Sequence, residues 1–167
     1  MGLPASHAMT AAPPTDEPPW RWHSETPKRI RRRFPAGDTE TRSALLAVCD
    51  GLRRAGICED DLSSTELILA EVLNNIVEHA YADSVGIVDL CIELRHEGLS
   101  CLVRDYGSAM PNGNPPCPPL PRINPPHEVP EGGFGWHIIR SLTTQLAYRQ
   151  DEGCNALSFV VPLTGYD

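Results

Sequence analysis

The sequence predicts an α+β fold, a two-layer sandwich in which a mostly antiparallel mixed sheet is covered on one face by three helices. Three observations lead to this prediction. In residues 66–82, apolar side chains recur with the period of a helix. In residues 85–94, apolar and polar side chains alternate and β-branched residues are frequent. A proline-rich loop separates the two halves of the chain. The predicted order is strand, helix, helix, hairpin, loop, helix, hairpin.

Composition limits where the domain lies and what it binds. Of the 17 prolines, six lie in residues 1–27 and nine in residues 106–131. We therefore expect residues 1–27 to be a disordered or loosely docked arm, with Trp20 and Trp22 docked or exposed, and residues 28–167 to be the domain. A net charge of -8 argues against broad binding to nucleic acid or to an anionic membrane.

The six cysteines and the lengths of the apolar runs indicate which kinds of site and which cellular compartment to expect. No two cysteines form a C-x-x-C pair, so a zinc site is not expected. No apolar run approaches the ~20 residues that span a bilayer, and no secretory leader is visible. A reducing cytoplasm is the compartment that fits best.

The first strand and helix are predicted from local patterns. Residues 28–35 place Ile30 and Phe34 inward and arginines outward, as in an edge strand. A helix follows over about 39–55, with Asp38 or Thr39 as its N-cap and Gly56 as its stop.

The second helix, which Ser63 or Ser64 is predicted to cap, carries the polar positions of most interest. Glu71 and Asn75 are four residues apart and therefore lie one above the other on one face. A carboxylate and a carboxamide so placed suit a general base and an oxygen ligand for magnesium. A solvated surface face is the alternative.

Two hairpins complete the sheet. Residues 85–94 and 99–104 are joined by a tight turn, and the second strand ends at Asp105. Strands 145–151 and 155–162 form the last hairpin.

Glycines flank the loop of residues 106–131, in which no regular structure is expected. Gly132, Gly133 and Gly135 lead into an apolar helix, whose free N–H groups suit a phosphate. Asp105 followed by Gly107 suits an exocyclic amine on a flat ring. Ordinary turn formation explains either glycine pattern as well.

The combination of these motifs resembles the GHKL (histidine-kinase-like) ATPase superfamily. It consists of an E-x-x-x-N helix, a strand ending in D-x-G, a long loop and G-x-G opening a helix. The segments EVLNNIVEHAY and GGFGWHIIRSL are similar to the corresponding motifs of the bacterial anti-sigma-factor serine/threonine kinases. The resemblance covers residues 28–163 and implies the histidine-kinase-like ATPase fold, with ATP and Mg²⁺ bound.

The resemblance also implies roles for individual residues. Glu71 would be the catalytic general base, and Asn75 would be the metal ligand. Asp105 would accept the adenine amino group, and Gly107 would line the ring. Gly133 and Gly135 would contact the phosphates, with Gly132 as the hinge of this nucleotide-binding loop. Asn155 would be a further nucleotide contact near the adenine, and residues 106–131 would form the ATP lid.

The chain departs from the family pattern in three places. The second glycine of D-x-G-x-G is missing, because Ser108, Ala109 and Met110 follow Gly107. Asn155 stands where relatives often carry threonine. The loop is rich in proline and has one basic residue, Arg122.

The resemblance implies a kinase that phosphorylates a STAS-type anti-anti-sigma factor and sequesters a sigma factor, with a homodimer as an option. The altered loop motivates a second hypothesis, a nucleotide-dependent binding switch with little or no kinase activity. A detached sensor-kinase catalytic domain is disfavoured, because the proline-rich residues before 28 cannot form a dimerisation helix. A DNA-binding module is disfavoured by the acidic charge.

Overall fold

The computed structural model describes residues 29–119 and 134–164, which form a five-stranded sheet with three α-helices. The strand order is β1-β2-β3-β5-β4, and every pair of described strands is antiparallel. The elements in chain order are β1 (Arg29–Pro35), α1 (Asp38–Arg54), α2 (Glu59–Asn75), a π-helical turn (Ile76–Ala80), β2 (Ile87–Arg95), β3 (Gly98–Asp105), a 3₁₀ turn (Pro111–Gly113), α3 (Gly135–Leu142), β4 (Thr144–Asp151) and β5 (Cys154–Val161). The predicted α+β sandwich is confirmed.

Helix α1 ends as predicted but begins differently. Gly37 occupies the N-cap position without a side-chain hydrogen bond, so the predicted cap at Asp38 or Thr39 is wrong. Asp38 lies instead in the first turn, where a carboxylate interacts favourably with the helix dipole. Gly56 has φ of +86°, and its N–H donates to the carbonyl of Arg53, which confirms the predicted glycine stop.

Helix α2 begins earlier than the sequence pattern indicated. It starts at Glu59, and the predicted caps Ser63 and Ser64 lie inside it. The Ser63 hydroxyl donates to the Glu59 carbonyl one turn back, at 2.8 Å. Acidic residues at the start of the helix, which look like a polar link in the sequence, are stabilised there by the helix dipole.

The C-terminal end of α2 widens into a π-helical turn. The N–H of Tyr81 donates to the carbonyl of Ile76, five residues back, at 3.1 Å. Turns of this kind occur as single bulges in α-helices and are frequent at functional sites. Here the turn follows Asn75 directly, so it determines how the chain leaves the predicted metal-ligand position.

The core lies between the helices and one face of the sheet. Val72 and Leu73 of α2 are about 1% exposed, and the predicted apolar face of this helix is confirmed. On the sheet, Ile92, Cys101 and Phe159 are neighbours on adjacent strands and are each 1% exposed. Because alternate strand residues point to opposite faces, this register buries one face.

The two hairpins bring the ends of β3 and β5 together. Asp105 lies directly opposite Asn155 in the β3–β5 ladder. The β4–β5 turn is formed by Glu152 and Gly153, with φ of +47° and +79°. The strand ends at Asp105 as predicted, and it is adjacent to the last hairpin.

The predicted loop contains one short regular segment. Pro111–Gly113 form a 3₁₀ turn, so the prediction that residues 106–131 have no regular structure is wrong there. Residues 120–131, Gly132, Gly133 and the arm with Trp20 and Trp22 lie outside the described residues. Within the described ranges, no helix is long and apolar enough to cross a membrane.

Candidate functional site

A cleft of about 1010 Å³ opens between the end of α2, the start of α3 and the β4–β5 hairpin. Five of the predicted site residues line it: Glu71, Asn75, Asp105, Gly135 and Asn155. Gly107 is not among the lining residues, and Gly132 and Gly133 lie outside the described residues. The structure therefore brings together residues that are up to 84 positions apart in the sequence.

The wall between α2 and α3 is formed by Glu71, Asn75 and Gly135. Glu71 and Asn75 are half-buried on α2, and Gly135 is the first residue of α3. A methyl group on Gly135 would lie 2.5 Å from Oε2 of Glu71 and 3.8 Å from Nδ2 of Asn75. A side chain at this position would therefore displace the Glu71 carboxylate.

The amide of Asn75 has unused hydrogen-bonding capacity. Its Nδ2 is buried and has no partner among the residues that the structure describes. A buried polar atom without a partner is costly, and such atoms are expected to find a ligand, an ion or a water. The unsatisfied Nδ2 of Asn75 therefore lies on the wall of the cleft, near the Glu71 carboxylate.

These residues fit a magnesium nucleotide and not a cage formed by the protein alone. The described part of the chain contains no group of three or more His, Cys, Asp or Glu side chains that could hold a metal. Mg²⁺ is usually held by one or two side chains together with waters and substrate phosphates. The amide oxygen of Asn75 and a cleft large enough for a nucleotide suit that mode.

A buried hydrogen-bond network lies on the opposite side of the cleft. Oδ1 of Asp105 accepts from Nδ2 of Asn155 at 2.7 Å and from the N–H of Gly107 at 2.9 Å. Asp105 is 7% exposed and Asn155 is 2% exposed. Within residues 29–119 and 134–164, Oδ2 of Asp105 accepts no hydrogen bond, so this oxygen is the one left for a donor in the cleft.

Sequence reasoning missed Tyr148, which completes this network. Its hydroxyl donates to Oδ1 of Asn155 at 2.7 Å and accepts from the N–H of Met110 at 3.1 Å. Tyr148 is on β4, half-buried, and lines the cleft. No sequence signal identifies it, because its facing depends on a bulge in β4.

Gly107 has a structural reason to be glycine that the sequence does not reveal. A Cβ at this position would collide with the carbonyl of Ala80, at the end of the π-helical turn. The next N–H, that of Ser108, donates to the same carbonyl at 2.8 Å. The loop after Asp105 is thus held against the end of α2, and a contact between Gly107 and a ring stays a prediction.

The first part of the predicted lid is fastened to α3. Arg140 donates from Nε to the carbonyl of Pro116 at 2.8 Å and from Nη2 to that of Pro115 at 2.7 Å. Pro116 and Pro118 line the cleft. Because proline fixes φ, residues 115–118 form a stiff wall. No pattern in the sequence indicates that Arg140 holds this wall.

The described lining of the cleft is acidic. It contains the carboxylates of Glu71, Glu78 and Asp105, and His79 lies exposed at the rim. Among the described lining residues there is no lysine or arginine. A phosphate near these carboxylates would be repelled by them, and a bound cation and the N–H groups at the start of α3 would offset that repulsion.

Comparison with known proteins gives consistent matches. The model of the histidine kinase-like ATPase domain matches residues 34–161. Serine-protein kinase RsbW of Bacillus cereus strain AH187 is 26% identical over 132 residues, covering 78% of this chain and 82% of the relative. The same kinase from strain ATCC 10987 is 29% identical over the same shares, and that of Bacillus anthracis strain CDC 684 is 26% identical.

A solved structure supports the fold. The crystal structure of the RsbU and RsbW domains of a Mycobacterium tuberculosis protein is similar, with a TM-score of 0.57 and 17% sequence identity. The match covers 81% of this chain and 32% of the other, so the chain spans about a third of that longer protein. At this identity, the similarity shows a shared fold.

Proposed function

The chain belongs to the histidine kinase-like ATPase domain family. From this membership and from the similarity to serine-protein kinases, we infer that it is an ATP-binding anti-sigma factor and serine/threonine protein kinase. We propose that it phosphorylates a serine of a STAS-type anti-anti-sigma factor and sequesters a sigma factor. The relatives named as serine-protein kinases support the reaction type. A sigma factor acts in the cytoplasm, so the proposal places the chain there.

One observation carries the kinase proposal. Glu71, Asn75 and the start of α3 at Gly135 meet on one wall of a cleft. Phosphoryl transfer depends mainly on positioning and on stabilising charge, and it needs little covalent help from the protein. A carboxylate, an amide oxygen and a helix N-terminus in one place supply groups suited to that task.

Each of these groups has a separate task in the proposal. Glu71 orients and deprotonates the attacking serine hydroxyl, as a general base does. Asn75 would hold the metal through its amide oxygen, and the N–H groups at the start of α3 would hold phosphate oxygens. When bound, Mg·ATP supplies the phosphoryl group and the positive charge that the acidic lining lacks.

In this proposal, the opposite wall of the cleft recognises the adenine base of the nucleotide. Oδ2 of Asp105, which accepts no hydrogen bond from the described residues, is available to the exocyclic amino group of adenine. Asn155 lies beside it, and residues 106–131 would close over the nucleotide. The roles implied for Gly132 and Gly133, and the homodimer, stay predictions.

A second candidate is a nucleotide-dependent binding switch with little or no kinase activity. The observation that favours it is the absence of lysine and arginine from the described lining of the cleft. In addition, Arg140, which is on α3, is engaged by proline carbonyls. Weak stabilisation of the transition state would slow transfer and leave nucleotide binding intact.

Transfer of labelled phosphate from ATP to a STAS-domain protein separates the two candidates. We expect a labelled serine on the STAS protein in the presence of Mg²⁺, and tight ATP binding by calorimetry. ATP binding without any labelled partner would favour the switch. If calorimetry at millimolar magnesium detected no binding of ATP or ADP, both candidates would be wrong.

A further inference from the structure

We propose that Tyr148 is a positioning residue for the nucleotide base. Through Asn155 it fixes the Asp105 carboxylate, and through Met110 it fixes the root of the proline-rich loop. The inference rests on the proposed function, because it concerns the same cleft. It assigns Asn155 a task different from the nucleotide contact that the family resemblance implies.

The hydroxyl of Tyr148 determines which way the Asn155 amide faces. Tyr148 has one hydroxyl proton, and it accepts the N–H of Met110 at 3.1 Å. Its proton is therefore given to Oδ1 of Asn155, at 2.7 Å. With the amide oxygen held by Tyr148, the amide nitrogen must face Asp105.

The amide nitrogen of Asn155 is in turn fully used. It donates to Oδ1 of Asp105 at 2.7 Å and to the carbonyl of Gly107 at 3.1 Å, with the Ser108 carbonyl at 3.4 Å. Two protons are thus committed within the protein. Asn155 has none left for a ligand, so it acts on the nucleotide through Asp105.

The same bonds orient the two oxygens of Asp105 differently. Oδ1 accepts from Asn155 and from the N–H of Gly107, and Oδ2 accepts from none of the described residues. A carboxylate held on one oxygen presents the other in a fixed direction. If the amide of Asn155 could turn over, its oxygen would face Oδ1, and the carboxylate would be pushed from this position.

A bulge in β4 places Tyr148 where it can make these contacts. Thr144 is opposite Val160, but Ala147 is opposite Ser158, so β4 carries one extra residue between them. Without it, Tyr148 would be opposite Ala156 and would point to the other face of the sheet. With it, Tyr148 is opposite the buried Leu157.

The backbone at the bulge deviates from ordinary strand geometry. Gln145 has φ of +53°, in the left-handed region that residues other than glycine rarely adopt. Bulges are frequent next to active sites, where they redirect a side chain. The redirected side chain here is the one that closes the hydrogen-bond chain from Met110 to Asp105.

The test is the variant Tyr148→Phe, which removes only the hydroxyl. Binding is measured by calorimetry for Mg·ATP and for purine riboside triphosphate, which lacks the amino group. We expect ATP affinity to fall about fivefold, the size of one lost hydrogen bond, here the bond between the adenine amino group and Asp105. The affinity for the analogue, which cannot form that bond, should change little. The preference for ATP over the analogue should therefore shrink, an effect that general destabilisation would not produce.

A double-mutant cycle tests the route through Asn155. Asn155→Ala should reduce the same preference, and adding Tyr148→Phe to it should have no further effect, because coupled residues are not additive. Ser158→Ala is the matched control. It also removes a hydroxyl that joins β5 to β4, through the carbonyl of Ala147 at 3.5 Å, but Ser158 is not among the residues that line the cleft, so the preference should stay as in the wild type.

The outcomes separate this inference from the proposed function. If the wild type binds no nucleotide, the proposed function is wrong and this inference fails with it. If the wild type binds ATP and Tyr148→Phe keeps the full preference, only the role of Tyr148 is overturned. Additive effects of the two substitutions would overturn it as well.

The wild-type protein gives an independent test should Tyr148→Phe not fold. In nuclear magnetic resonance spectra, the side-chain amide protons of Asn155 should exchange with water far more slowly than those of the exposed Asn112, and should shift on ATP addition. Exchange as fast as that of Asn112 would overturn the inference.

Discussion

Gly135, the first residue of α3, lies against the carboxylate of Glu71 on α2, so closely that a methyl group on Gly135 would be 2.5 Å from Oε2. Real Cβ atoms are almost never found at such a distance from a neighbour. The two residues belong to different motifs in the sequence, and their contact joins the proposed general-base position to the proposed phosphate-binding position. Any side chain at Gly135 must therefore change the proposed catalytic wall.

Gly135→Ala should weaken Mg·ATP binding by about tenfold, equivalent to about 1.4 kcal/mol, because the methyl group must displace the half-buried Glu71 carboxylate from the wall proposed to hold the metal and the phosphates. Titration calorimetry measures the change. Gly37→Ala is the matched control, since its methyl would also lie 2.5 Å from a glutamate oxygen, that of Glu40. Glu40 is exposed and can move away, so the control should bind ATP like the wild type. Equal affinity of the two variants would contradict this prediction.

The contact explains what sequence reasoning could and could not predict. The period of residues 66–82 predicted that Glu71 and Asn75 share a face, because helix geometry is local. That Gly135 lies against this face depends on the packing of α3 on α2, which no local pattern specifies. The start of α2 was missed for a related reason, since Glu59, Asp60 and Asp61 look like a polar link unless the helix dipole is considered.

Glu71→Gln should reduce phosphate transfer to a STAS-domain partner by about 10²- to 10⁴-fold, the usual contribution of a general base. Glutamine keeps the size of the side chain and removes the carboxylate, so ATP binding should be nearly unchanged. The measurement compares the rate of label transfer with calorimetric affinity. Glu66→Gln, an exposed position on the same helix, is the control. Transfer at the wild-type rate in Glu71→Gln would exclude this role for Glu71.

Removal of magnesium should weaken ATP binding by about tenfold or more, equivalent to about 1.4 kcal/mol. The physical reason is that the described lining of the cleft carries the carboxylates of Glu71, Glu78 and Asp105 and neither lysine nor arginine. Without the cation, the phosphates face this negative charge directly. Calorimetry in EDTA measures the effect, with adenosine as a control ligand that should bind equally with and without metal.

The network around Asp105 could be predicted only in part. The strand pattern placed Asp105 at a strand end, and the alternation of residues 155–162 predicted the last strand. The alignment of Asp105 with Asn155 depends on register, and the facing of Tyr148 depends on one extra residue at Gln145. A shift of one residue turns every side chain of a strand to the other face, and the sequence alone does not determine that shift.

Arg140→Gln should speed the release of ATP by about three- to tenfold. The guanidinium donates to the carbonyls of Pro115 and Pro116, and charged hydrogen bonds of this kind contribute about 1.5–3 kcal/mol when buried and less when exposed. Without them the wall formed by Pro116 and Pro118 is no longer held to α3. Stopped-flow displacement of a fluorescent ATP analogue measures the rate, with Arg149→Gln, on the exposed side of β4, as control. Unchanged release from Arg140→Gln would show that the clamp does not retain nucleotide.

The buried thiol of Cys49 should make stability depend on pH in the alkaline range. Burial, with a smaller contribution from the nearby Glu66 carboxylate, raises the pKa of Cys49 from 9.0 to about 11. Between these two values the folded state keeps the thiol proton and the unfolded state loses it, so the free energy of unfolding falls as pH rises. Below pH 9.0 the contribution of the Cys49 thiol to the free energy of unfolding is fully present.

Urea unfolding of the wild type and of Cys49→Ala across this window measures the effect. The wild type should lose stability more steeply than the variant as pH rises from 9.0 to about 11. Cys58→Ala is the control, because Cys58 is exposed and should leave the slope as in the wild type. The same slope in Cys49→Ala as in the wild type would mean that this thiol ionises equally easily in the folded and unfolded chains. The thiolate is the reactive form, so a thiol reagent at neutral pH should modify Cys58 and leave Cys49 unmodified until the chain unfolds.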